Sequence, residues 1–486
     1  MAGLGGRVAV LTLSRLASYG LMLIGPIIVA RLLTVHDFGR YREFLLYGSL
    51  LQACAAFSFR DSLLYFIPAH PQSPWRIVRQ TAFLTSITSV FTVVVLYVCD
   101  RASGGALVGE YLLPLVAYTL LSANLDFWEY FWIARHRPAA VFMYSATRLV
   151  ARLLVVAIAA VLTHDVMTIV WALVALEAAR LVASAVVLWV LDKSRHEPPI
   201  TGSWRDQLRF CVPSGAASLL SMGSRNLSNV VVAKALGVVA LGQYAIGRFS
   251  EPVVLAARTS LSAVILPEMV SRDRKSSGQA LVLWKRATII NIIFLFPVAV
   301  LVARYAEPLV VLLFGDNYRA AAVVMQIYMF AVIRECFDFS RALRALNRNH
   351  PLVVSNFVGL ATCAAALLVL IPLAGVAGAM IAFVIGCYAD AAYLCARVCK
   401  LYAVRLRDIL PWATIARIAA AAGLAAVVLV SDLWTETFGI AGIVLAGLLY
   451  LLAFAVVLLS MRVAEAELMV NWVLRAFRRK GASWST

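Results

Sequence analysis

Fourteen stretches of predominantly apolar residues follow one another along the chain, at 8–30, 42–66, 77–98, 111–134, 139–163, 166–191, 210–236, 245–267, 284–303, 320–340, 351–372, 375–396, 411–431 and 437–460. About 20 apolar residues in a helix cover the roughly 30 Å hydrocarbon core of a bilayer, so each stretch is long enough to span it. The pattern predicts an all-α, polytopic membrane protein of about 14 transmembrane helices. The first stretch is too long for the apolar part of a signal peptide and carries Arg15 within it, so it is expected to be a retained helix. The most hydrophilic interior segment, Asp192–Arg209, contains Pro198, Pro199, Gly202 and Trp204 and follows the sixth span. The expected organisation is a six-helix lobe at 1–192, a cytoplasmic linker at 193–209 and a second six-helix lobe at 210–400. Two further helices at 401–460 and a basic cytoplasmic tail at 461–486 complete it.

A repeat supports the division into halves. Ala30–Tyr41 reads ARLLTVHDFGRY and Ala233–Tyr244 reads AKALGVVALGQY, an offset of 203 residues. Five of the twelve positions are identical, the Gly and Tyr among them. Both copies follow the first helix of a six-helix set. Two parallel halves are a recurrent plan of membrane transporters.

Composition agrees with this reading. Hydrophobic residues make up 63% of the 486, charged residues 14%, and the mean hydropathy is +0.88. A soluble domain is only about 45–50% apolar. The net charge of +18 would suggest nucleic acid in a soluble protein, but its distribution here gives a topology instead. With the N-terminus in the cytoplasm, the inside segments hold 26 Lys and Arg, the outside loops seven and the spans ten. That asymmetry places both termini in the cytoplasm. The tail, with Arg475, Arg478, Arg479 and Lys480 around Trp472 and Phe477, reads either as an amphipathic helix on anionic lipid or as ordinary positive-inside anchoring. The eight cysteines lie almost entirely in apolar segments, with no spacing of a disulfide framework or metal site. Neither a cofactor nor a catalytic constellation is expected.

The ten cations within the spans are all arginine: 15, 60, 148, 152, 180, 225, 248, 258, 334 and 417. Such a charge is costly in hydrocarbon and normally faces a partner or a wet cavity. Local acids suggest ion pairs for Arg180 with Glu177, Arg248 with Glu251 and Arg334 with Asp338, while Arg148, Arg152 and Arg417 lie near enough to inside ends to snorkel. Arg15, Arg60, Arg225 and Arg258 remain. They lie on the first two helices of each half, and Arg225 shares a polar stripe with Ser214, Ser218, Ser221 and Asn229. Guanidinium matches phosphate bidentately and stays charged, so these four are candidates for a cationic cavity that receives an anion. Among the buried acids, Asp126 and Glu129 have no cation adjacent in sequence and are candidates for ion coupling, with pairing to Arg15 or Arg60 as the alternative.

The chain resembles the polysaccharide-transporter branch of the multidrug/oligosaccharidyl-lipid/polysaccharide exporter superfamily. The resemblance is carried by Ala30-Arg31-Leu32-Leu33, Phe38-Gly39-Arg40-Tyr41, Leu313-Phe314-Gly315, Tyr318, Ala320 and Ala321, and by the six-plus-six-plus-two plan. It implies alternating-access flipping of an undecaprenyl-pyrophosphate-linked oligosaccharide across the inner membrane for O-antigen, capsule or exopolysaccharide synthesis. It also implies membrane lipids, a polysaccharide polymerase and chain-length machinery as partners, and no nucleic acid. A lipid-linked peptidoglycan precursor flippase is the near alternative. A cation-coupled drug antiporter is less consistent with arginine-led charge, and short outside loops disfavour a glycan polymerase or ligase.

Overall fold

The computed structural model describes residues 23–135, 137–191, 197–198, 203–255, 258, 265, 269, 279–346, 350–429, 433–463 and 465–467. Every regular element among them is helical. The chain divides into two compact units, Met1–Ala245 and Ile246–Thr486.

The first unit contains α1 (Leu23–Leu32), α2 (Val35–Ala56), α3 (Phe59–Ala69), α4 (Pro74–Ala102), α5 (Leu112–Ser122), α6 (Phe127–Ala134), α7 (Pro138–Thr163), α8 (Val166–Leu191) and nearly all of α9 (Ser203–Gly247). Local chemistry fixes several of the ends. Thr34 accepts a hydrogen bond from the Asp37 amide at the start of α2, and prolines occupy the first turns of α4 and α7, where no amide is needed. Asp165 accepts from the amide and hydroxyl of Thr168, both at 2.9 Å, at the start of α8. The Thr168 amide holds the Asp165 carboxyl below its usual range. Glu197 caps α4 across the chain, its two oxygens accepting from the amides of Trp75 (3.1 Å) and Arg76 (2.9 Å).

The second unit contains α10 (Gln279–Arg304), α11 (Ala306–Phe314), α12 (Ala321–Glu335), α13 (Phe339–Ala345), α14 (His350–Leu401), α15 (Leu406–Ile409), α16 (Trp412–Ala425) and α17 (Leu433–Ser460). One of its cores gathers around the fully buried Trp284, with Phe339, Leu343, Leu394 and Val398.

Nine helices among the described residues are long and apolar enough to cross a membrane, so the structure does not confirm the count of fourteen. Two expected spans are each divided, into α5 with α6 and α12 with α13, leaving pieces too short to cross alone. Conversely, α14 carries two expected spans in 52 residues, roughly 78 Å of helix against a core of about 30 Å. Gly375, at φ 54° and ψ −127°, interrupts it between the spans read at 351–372 and 375–396. The start of the first span, with Arg15, and most of the tail lie outside the described residues.

The two copies of the repeat pack on each other. A Cβ on Gly39 would lie 2.1 Å from the Val238 carbonyl oxygen, and one on Gly242 would lie 3.3 Å from the Phe38 ring. Helical geometry is interrupted before each copy's glycine, at Thr34 (ψ 161°) and at Gly237 (φ 84°, ψ 178°), positions again 203 apart. Nearer the start of α9, a Cβ on Gly215 would meet the Phe57 carbonyl at 2.9 Å, and the hydroxyls of Ser58 and Ser218 lie 3.1 Å apart. Buried Gln207 donates to Ser62 and Thr81. By these contacts α9 is built into the first unit, although the linker precedes it in sequence.

Candidate functional site

In the first unit, two adjoining helices stop and restart within the apolar region. Between α2 and α3, Phe57 and Ser58 both adopt left-handed backbone conformations, at φ 37° and 59°. Neither is glycine, and each such residue costs on the order of 1–3 kcal/mol unless its surroundings hold it. Gly215 and Ser218 of α9 supply those surroundings. Between α5 and α6, residues 123–126 form a turn. Non-helical backbone at membrane depth must find partners. Here the Tyr144 hydroxyl donates to the Leu125 carbonyl at 2.6 Å.

The charged residues sit at these breaks. Asp126 immediately precedes α6, and its two oxygens are taken by different arginines: Arg60 of α3 at 2.9 Å and Arg148 of α7 at 2.7 Å. Arg148 also reaches Glu129, in the first turn of α6, at 3.3 Å. The Arg60 guanidinium lies over the Tyr130 ring. Arg180 pairs with Glu177 at 2.5 Å and donates to the Tyr144 hydroxyl at 3.1 Å.

The second unit repeats the plan. Residues 248–250 form a turn before helical residues 251–255, and Arg258 lies beyond it. Between α12 and α13, Cys336–Asp338 leave the helix, and side chains take the freed carbonyls: Trp284 donates to Asp338 at 2.8 Å and Asn291 to Cys336 at 3.5 Å. Glu335 gives one oxygen to Arg258 and the other to Arg334 at 3.0 Å. Arg258 also reaches Asp338 at 3.5 Å, and Asp338 is held by Arg341 at 3.0 Å. Arg334 completes its set with Asp390 and, at 2.9 Å, the Cys387 carbonyl.

The two clusters correspond in sequence. Asp126 and Glu335 are 209 residues apart, as are Glu129 and Asp338, while Tyr118 and Tyr328 are 210 apart. In each cluster one carboxylate bridges two guanidiniums and a second acid stands three residues on.

The structure therefore brings Arg60, Asp126 and Glu129 into one cluster and places Arg258 in another. Arg225 is exposed on α9, beside Asn226 and Asn229, whose side chains bond each other at 3.1 Å. Arg15 lies outside the described residues. The pairs Arg180–Glu177 and Arg248–Glu251 form as expected. Two expectations are corrected. Arg334 makes its ion pairs with Glu335 and Asp390, because the helix ends at Glu335 and the four-residue spacing to Asp338 no longer describes one helical face. Arg148 does not snorkel, because Asp126 and Glu129 neutralise it where it stands. Arg148 and Asp390 join the clusters from sequence-distant positions, while Arg334 and Arg341 flank the acids they pair with. The acid-x-x-acid pattern at 126–129 and 335–338 is the sequence signal that relates the two sets.

Chemically, each cluster is a set of guanidiniums already neutralised by carboxylates and only partly buried by the protein around it. The side chains of Arg60 and Arg258 are 32% and 27% exposed. An arginine so placed can exchange one oxyanion partner for another without crossing dry hydrocarbon alone.

A family model described as "Polysaccharide biosynthesis protein" matches residues 28–323. No curated protein sequence matches the chain. Among solved structures, the lipid II flippase MurJ in an inward closed conformation aligns at a TM-score of 0.67 and 12% identity, covering 92% of this chain and 98% of its own. A mutant of the Vibrio cholerae MATE transporter VcmN aligns at 0.56 and 14% identity, covering 83% and 98%. An outward-facing multidrug resistance MATE transporter of the MOP superfamily aligns at 0.57 and 14% identity, covering 82% and 94%. At these identities the likeness is one of fold.

Proposed function

Because the chain belongs to the polysaccharide biosynthesis protein family, whose model matches more than half of it, we propose that it flips a lipid-linked oligosaccharide across the bacterial inner membrane. The substrate is a repeat unit on an undecaprenyl pyrophosphate, and the product feeds O-antigen, capsule or exopolysaccharide assembly. The observation that carries this reading is the pair of arginine–carboxylate clusters, built on broken helices within membrane-length apolar segments. Arg60 and Arg258, with Arg225 and Arg15, receive the pyrophosphate, while the lipid tail stays in the bilayer. Both termini lie in the cytoplasm, and the polymerase and chain-length machinery act downstream. Asp126 and Glu129 hold the arginines and are the candidates for ion coupling.

The likeness to a structure titled as the lipid II flippase MurJ favours a second reading, a lipid-linked peptidoglycan precursor. Both substrates present a pyrophosphate, so the arginines serve either. The experiment is substitution of Arg60, Arg225 and Arg258 by Ala, singly, in a strain deleted for the chromosomal copy. Loss of surface glycan with the protein still in the membrane supports the proposal. Normal glycan in all three variants overturns it, and loss of wall synthesis instead of glycan selects the second reading.

A further inference from the structure

The two bridging carboxylates have a geometry that exceeds what charge neutralisation requires. One carboxylate per arginine would suffice, yet Asp126 and Glu335 each give one oxygen to each of two guanidiniums. In each pair one arginine comes from the element beyond a helix break, Arg60 or Arg258, and the other from elsewhere in the unit, Arg148 or Arg334. The second arginine has acids of its own besides the bridge: Glu129 for Arg148 and Asp390 for Arg334. Two guanidiniums on one oxyanion also form the arrangement that a phosphate group accepts.

We propose that Asp126 and Glu335 are exchangeable counter-anions: each occupies its arginine while no substrate is bound and yields Arg60 or Arg258 to the pyrophosphate on loading. This rests on the anionic-substrate reading above. Stripping a carboxylate of its only partner in a low-dielectric interior is costly, and the second arginine removes that cost. As the pyrophosphate takes Arg60, Asp126 stays paired with Arg148. As it takes Arg258, Glu335 stays paired with Arg334. No proton has to move. When the substrate leaves, the carboxylate returns to its first arginine and competes against rebinding. Asp126 and Glu335 are thus positioning residues that set release as well as affinity, and the duplicated spacing of 209 residues gives each half its own copy of the device.

The test uses full-length protein in nanodiscs with two probes, undecaprenyl pyrophosphate and the uncharged alcohol undecaprenol. Wild type should bind the pyrophosphate more tightly than the alcohol; failure of that comparison sinks the anionic-substrate reading itself. Given that preference, Asp126→Asn removes the bridging competitor at Arg60 and should bind the pyrophosphate about tenfold more tightly, the scale of one charge-assisted hydrogen bond; Glu335→Gln leaves Asp338 on Arg258 and should tighten binding in the same direction by less. In vesicles both should show a lower half-saturating concentration together with a lower maximal flipping rate, because release slows. Asp126→Glu should restore both quantities toward wild type. Unchanged or weaker pyrophosphate binding in variants that unfold at the wild-type temperature overturns the proposal and leaves the carboxylates a structural role. If one variant does not fold, the other decides by the same criterion.

Discussion

The crossing of the two repeat copies is held by a backbone approach that leaves no room for a methyl group. A Cβ on Gly39 would lie 2.1 Å from the Val238 oxygen and 2.6 Å from its carbonyl carbon, both backbone atoms that cannot rotate aside. Ordinary contact begins at 3.4 Å, so the two segments must part by 1.3 Å (3.4 minus 2.1) for Gly39→Ala to fit. Overpacking of this kind costs about 1–3 kcal/mol, and alanine regains about 0.5–1 kcal/mol over glycine in a helix; with both arms of the contact being backbone the cost falls at the upper end, a net loss of about 2 kcal/mol. Gly223, on α9, provides the matched control, since a Cβ there meets nothing within 4 Å. Gly223→Ala should be neutral or stabilising by about 0.4–1 kcal/mol. Thermal unfolding of the purified protein in detergent, followed with a thiol-reactive dye on the buried cysteines, compares the two. Gly39→Ala must unfold at a lower temperature than wild type, and Gly223→Ala must not. Equal unfolding temperatures for the two variants would refute the close crossing.

Other substitutions probe the remaining supports. Asp165 has a depressed pKa, so its contribution to stability is full above the ordinary carboxylate range and is lost as pH falls through the folded-state value. Unfolding temperatures measured down an acid series should therefore converge for wild type and Asp165→Asn at the lowest pH. Glu197→Ala removes the carboxylate from the amides of Trp75 and Arg76, and should cost about 1 kcal/mol and speed proteolytic cleavage of the 193–209 linker. Arg334→Ala takes the arginine from Asp390 at a nearly buried position and leaves Glu335 with Arg258, a loss of about 3–5 kcal/mol. Immunoblots of membrane fractions should show that variant failing to accumulate.

Much of the fold was legible because bilayer thickness imposes a length on every apolar stretch. The interruption between 372 and 375 coincides with Gly375, and the repeated glycines at 39 and 242 proved to be the contact between the copies. The breaks after α2 and α5 were not legible. Neither contains glycine or proline at the point of departure; Phe57 and Ser58 are forced from helical geometry by contacts with α9, some 160 residues away in sequence. The charge clusters escaped for the same reason. Helical spacing relates residues three or four apart, so it found Arg180 with Glu177, but Asp126 takes its partners from α3 and α7 across three helices. Where the helix stops, as at Glu335, the spacing argument misassigned Arg334. Arg60 and Arg258 were legible as unusual cations, and the pairing of Asp126 with Arg60 stood as an alternative that the structure bears out; the bridging of each carboxylate to a second arginine was not legible.

If the paired arginines serve transport, they must move an anionic lipid between leaflets. Purified protein in liposomes, supplied with a fluorescent undecaprenyl-pyrophosphate-linked oligosaccharide in one leaflet, measures this directly through quenching by a membrane-impermeant reagent. Wild type should carry the lipid to the other leaflet above the rate of protein-free liposomes, and Arg60→Ala and Arg258→Ala should fall to that background. Background rates for the wild type, or full rates in both variants, would contradict the assignment.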